Sequence, residues 1–133
     1  MTGFIDHVRL GVRDVGAFAA SYGPLAEALG LVPEPRHDVG RAWGIAAEGG
    51  RMQWLILTPA SREGAVDGLA PGLHHVAFAA RDRAHVDRVH AALRAVGAEV
   101  IEAPCEYDAE PDHDAAFFRD PDGLKVEVVH VAG

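Results

Sequence analysis

The chain has 133 residues, 49% hydrophobic and 24% charged, with a formal net charge of −8 from 12 Lys and Arg against 20 Asp and Glu. That length suits one domain able to bury a core, and its scattered basic residues, mostly Arg, form no stripe or arm that would track nucleic acid. No run approaches the roughly 20 apolar residues of a membrane span, the N-terminus lacks a basic-then-apolar export pattern, and the single Cys105 has no partner for a disulfide or a zinc pair, so a cytoplasmic protein is expected.

The first predicted element is a strand over Ile5 to Val12. Val8, Leu10 and Val12 alternate with Ile5, His7 and Arg9, so the two sets occupy opposite faces. Asp14 is a suitable N-cap. Phe18, Tyr22, Leu25 and Leu29 then recur at helical spacing, and Gly30 is a natural stop. Gly23-Pro24 predicts a kink or a break into two short helices. Pro33 to Val39 reads as an edge strand. Gly40 to Glu48 and Met52 to Thr58 read as strands joined at Gly49-Gly50.

Residues 61–72, rich in Gly, Ala and Pro, form a connector, after which the plan recurs. Leu73 to Asp82 repeats Ile5 to Asp14 at a constant offset of 68, with His75 on His7, Val76 on Val8 and Arg81-Asp82 on Arg13-Asp14. Such self-similarity implies a fold of two like halves. Asp82 caps a helix from Arg83 to Val96 whose buried stripe is Val86, Val89, Leu93 and Val96, placing His85 and His90 on the solvated face. Glu99 to Ala103 is a strand. Residues 104–114 read as a polar loop carrying Glu106, Asp108, Glu110, Asp112 and Asp114. Ala115 to Arg119 and Leu124 to Val131 are strands joined by the turn Asp120-Pro121-Asp122-Gly123. Glu127 lies mid-strand between Val126 and Val128, where a carboxylate is costly unless paired or bound to a cation.

Three segments carry a resemblance: Ile5-Asp6-His7-Val8; Gly72-Leu73-His74-His75-Val76-Ala77-Phe78; and Phe117 to Glu127 with its Asp-Pro-Asp-Gly turn four residues before the Glu. Together they resemble the vicinal oxygen chelate superfamily of glyoxalases, methylmalonyl-CoA epimerase, extradiol dioxygenases and bleomycin and fosfomycin resistance proteins. The resemblance implies an α+β fold in which two βαβββ modules, about 4–60 and 73–131, build one glyoxalase-like domain with a curved, mostly antiparallel sheet around a cavity. It also implies a homodimer and one divalent metal ion held by His7, His75 and Glu127. A fourth ligand, Glu or Gln in many members, would fall near Leu55-Ile56, where this chain has neither. Gln53 lies two or three residues too early.

Two imidazoles and one carboxylate suit Fe, Zn, Ni, Mn or Co and leave coordination sites open. The expected function is therefore a metal-dependent lyase, isomerase or ring-cleaving dioxygenase acting on a small oxygen-rich metabolite. His113 is the candidate general acid or base. Trp43, Trp54, Tyr107 and Phe117 are candidate substrate-binding walls, with core packing the competing role for Trp54 and Phe117. A metal-free protein that sequesters a small molecule, as bleomycin-resistance members do, is the alternative. A purely structural domain, indifferent to the loss of Glu127, is the third reading.

Overall fold

The computed structural model describes residues 5–34, 40–106 and 113–132. Their contacts divide the chain into two compact units, residues 1–64 and 65–133. In the first, β1 (His7–Val12) leads into α1 (Val15–Leu29), followed by β2 (Val32–Pro33), β3 (Arg41–Ala46) and β4 (Met52–Pro59). A short 3-10 turn, Glu48–Gly50, joins β3 to β4 where Gly49-Gly50 was expected to turn. In the second, β5 (His75–Ala79), α2 (Arg83–Ala95), β6 (Glu99–Glu106), β7 (His113–Arg119) and β8 (Lys125–Val131) follow in the same order. The expected βαβββ plan is thus present twice.

Each unit holds one four-stranded sheet, ordered β1-β4-β3-β2 and β5-β8-β7-β6. The first strand of each unit pairs in parallel with the last, and the remaining pairs are antiparallel. The strands therefore form two four-stranded mixed sheets, mostly antiparallel, in keeping with the expected α+β, glyoxalase-like fold.

The helices form where the caps and stripes place them. The Asp14 carboxylate accepts from Ala17 N at 3.1 Å, and Gly30 ends α1 with φ 83°, a left-handed value that favours glycine. The helix is a single element with Pro24 inside it, so the break into two short helices that Gly23-Pro24 allowed does not occur. Its buried stripe is Phe18, Tyr22, Leu25, Ala26 and Leu29, and it packs on β3 and β4. In the second unit, Asp82 accepts from His85 N at 2.7 Å. Val86, Val89 and Leu93 are buried, and α2 packs on β6, β7 and β8.

His85 was expected in solvent and is instead 6% exposed, its Nδ1 accepting from Arg81 N at 3.1 Å. His90 is half-buried, with its ring 6.0 Å from that of Phe118. Strands β6 and β7 extend further into the expected acidic loop than the sequence suggested, taking in Glu106 and His113-Asp114. Asp108, Glu110 and Asp112 lie outside the described residues. No helix among the described residues is long and apolar enough to cross a membrane.

Candidate functional site

Register decides what the second unit brings together, because directly paired residues share a sheet face. His75, Lys125 and Arg119 form one row across β5, β8 and β7. Ala77, Glu127 and Phe117 form the next, and Ala79, Val129 and Ala115 the third. The opposite face of β8 presents Val126 and Val128, both buried, on the side covered by α2. On this face Ala77 and Ala79 are exposed, whereas Ala115 is fully buried.

Glu127 is 8% exposed, so its carboxylate needs partners. Oε2 lies 3.0 Å from His75 Nε2. Oε1 lies 3.5 Å from Nε2 of His113, which reaches across from the far end of β7. The three groups are thus strung together through the two carboxylate oxygens. Among the described residues no set of three His, Cys, Asp or Glu side chains converges as a ready-made metal cage. His75 Nδ1 is in turn 2.7 Å from His74 Nδ1, one ring donating and the other accepting. Phe117, 9% exposed, stands edge-on to His75 with ring centroids 6.5 Å apart.

The donor chemistry suits a divalent ion. Ligands about 2 Å from one ion and adjacent on its coordination polyhedron lie roughly 3 Å from each other. The 3.0 Å between His75 Nε2 and Glu127 Oε2 matches that edge, with a proton where a cation would go.

In the first unit, His7 pairs with Trp54 and Arg9 with Ile56. His75 and Ala77 are the matching residues of β5, and they pair with Lys125 and Glu127. The position equivalent to Glu127 is therefore Ile56, an apolar residue, and the one equivalent to Lys125 is Trp54. Gln53, an odd number of residues from Ile56, falls on the opposite face of β4, where its Nε2 donates to Ile5 O at 3.2 Å. His7 Nδ1 lies 2.8 Å from Asp6 Oδ1. The hydrogen bond from His7, with Arg51 Nη2 at 3.4 Å from Oδ2, holds the Asp6 carboxyl below its ordinary range.

Of the remaining candidates, Trp54 is half-buried on the face that carries His7, with its ring filling the space above Gly44. Trp43 is 6% exposed and pairs with Leu55, on the face that α1 covers. Tyr107 lies outside the described residues.

One residue escaped the sequence reading. Lys125 is the only lysine in the chain, the other eleven basic residues being arginine. Its Nζ sits 4.3 Å from the centroid of the Phe117 ring. That singular use of lysine, two residues before Glu127 and on the same face, was a signal available from composition alone.

The model of the Glyoxalase/Bleomycin resistance protein/Dioxygenase superfamily matches residues 4–128. The chain belongs to this superfamily. Solved structures of similar fold include a candidate glyoxalase from Bacillus halodurans, with 24% identity over 97% of this chain and 96% of that one and a TM-score of 0.74. A glyoxylase/bleomycin resistance protein/dioxygenase domain from Frankia sp. EAN1pec has 23% identity over 99% and 100%, with a TM-score of 0.70. A glyoxalase/bleomycin resistance protein from Albidiferax ferrireducens T118 has 25% identity over 95% and 98%, with a TM-score of 0.71. A search of curated protein sequences finds no match. Superfamily membership accords with the duplicated βαβββ plan.

Proposed function

We propose that the chain is a divalent-metal-dependent enzyme of the superfamily, acting on a small metabolite that presents adjacent oxygens. The observation that carries this reading is the buried Glu127 carboxylate 3.0 Å from His75 Nε2. These two side chains would hold the ion. His7 is the further ligand that the resemblance implies. A bound divalent cation would act as a Lewis acid on the adjacent oxygens of the substrate.

The chain's own groups do the rest. His75, fixed by His74 and by the edge of Phe117, presents Nε2 in one orientation. His113, within 3.5 Å of Glu127, is placed to hold or move a proton at its Nε2 beside the substrate. Ala77 and Ala79, small and exposed on the same face, leave room for a compact ligand.

Zinc titration of the purified chain against a chromophoric chelator tests the reading. The expected result is one ion per chain, with Glu127→Gln and His75→Ala each lowering affinity by about tenfold or more. Affinity should rise with pH, because the ion displaces the proton shared by His75 and Glu127. A parent protein that competes no better than Glu127→Gln overturns it.

A second reading has one specific observation in its favour. Ile56 occupies the position equivalent to Glu127, leaving the first unit without a carboxylate there. A protein that sequesters a small molecule without chemistry would tolerate that loss. Ligand binding equal in the parent and in Glu127→Gln, with no metal taken up, would favour it.

A further inference from the structure

We infer that Lys125 is the anion-binding group of this site, so that the ligand is a small organic anion whose carboxylate rests against the Lys125 ammonium; this deepens the reading above and rests on it for the role of the neighbouring His75 and Glu127. Three observations carry the inference. Lys125 shares a face and a row with His75 and lies two residues from Glu127 on the same strand. Its Nζ is held 4.3 Å above the Phe117 ring, and Phe117 itself is buried and stands beside His75. No carboxylate among the described residues pairs with it: Glu127, the nearest acid along the face, engages the two imidazoles instead.

An ammonium over a ring face is drawn to the ring while one side is shielded from water. Among the described residues none takes up its remaining donors, which suits them to meet a ligand. A lysine is a point charge with three rotatable donors, whereas the fork of an arginine would demand a fixed planar partner. In a chain that otherwise relies on arginine for positive charge, this position alone has the more adaptable cation. Its proximity to His75 and Glu127 suits a ligand with a carboxylate at one end and adjacent oxygens at the other.

The solitary lysine makes the test direct. Reductive methylation with 13C-formaldehyde labels Lys125 and the α-amino group and no other site. The labelled full-length protein is titrated with oxalate and with its neutral diamide, oxamide, both without metal and loaded with zinc. Oxalate is expected to move the Lys125 methyl resonance and oxamide to leave it in place. Lys125→Met, which keeps the length of the side chain and its contact with Phe117, is expected to weaken oxalate binding by about tenfold or more. Its zinc affinity and melting temperature should stay close to the parent's. An unmoved resonance, or undiminished oxalate binding by Lys125→Met, overturns the inference. Failure of the parent to bind zinc, with the resonance still moving on addition of oxalate, removes the metal reading and leaves the anion site standing.

Discussion

Asp114 shows what one residue costs the fold. It stands next to His113 on β7 but faces the other way, toward α2, and is 8% exposed. Burial pushes its carboxyl above the ordinary 3.8, and Asp87 on α2 and Glu106 on β6 push in the same direction. Arg83 on α2 and His130 on β8 oppose the rise, but the Arg83 guanidinium is engaged by Glu106 at 3.2 Å. A carboxyl whose folded pKa is raised favours the native state while protonated and disfavours it once ionised. The wild-type protein therefore carries a penalty at neutral pH that fades as pH falls through the carboxylate range. Asp114→Asn, of the same shape and without the charge, is expected to raise the melting temperature by about 2–4 °C at pH 7. The gain should shrink as pH falls and vanish below the ordinary 3.8. A gain that persists undiminished in acid would refute this account.

At the scale of elements, the caps and stripes were legible because they are local. Asp14, Gly30 and Asp82 act where their side-chain chemistry predicts. The continuity of α1 was not legible, because it depends on tertiary burial. A proline inside a helix costs about 3 kcal/mol, but each fully buried large apolar side chain contributes roughly 1.5–3 kcal/mol. The stripe of Phe18, Tyr22, Leu25 and Leu29 outweighs the break. The burial of His85 was legible in the periodicity and was missed: it precedes Val89 by four residues and so shares its side of the helix. It also occupies the first turn, where its ring accepts from Arg81 N and becomes part of the cap.

Gly40 is another position whose role appears only in the fold. It precedes β3, and a Cβ there would run into the Leu57 carbonyl oxygen, with Leu57 C and Thr58 Cα beside it. These are backbone atoms of β4 and cannot swing aside. Gly40→Ala should therefore destabilise by about 2–3 kcal/mol or more, seen as a lower denaturant midpoint with an unchanged slope. A variant as stable as the parent would mean that β3 enters the sheet by another path.

For the molecule as a whole, the repeat carried most of what could be read. It gave two like halves, and with them the equivalence of His7 and His75. It did not give the partners of those residues, because the offset changes along the chain: 68 between His7 and His75, but 71 between Ile56 and Glu127 once the strands are paired. Extra residues between helix and last strand shift the count, and only hydrogen-bond register restores it.

The repeat does preserve one device. In each half the residue before the site histidine engages its Nδ1, Asp6 for His7 and His74 for His75. A hydrogen bond at one ring nitrogen orients the ring and leaves the other for a ligand, and such partners commonly contribute ten- to hundredfold to metal affinity. The Asp6 carboxyl is held low by His7 and Arg51, so it stays ionised to below the usual carboxylate range and the orienting bond keeps an anionic partner at neutral pH. If His7 is a ligand, as the resemblance implies, Asp6→Ala should lower zinc affinity by about tenfold with little change in melting temperature. The loss should be similar at pH 6 and pH 8, since Asp6 is ionised at both. Zinc affinity untouched by Asp6→Ala and by His7→Ala, yet abolished by His75→Ala, would assign the ion to the second half alone and make the Asp6–His7 pair a vestige of duplication.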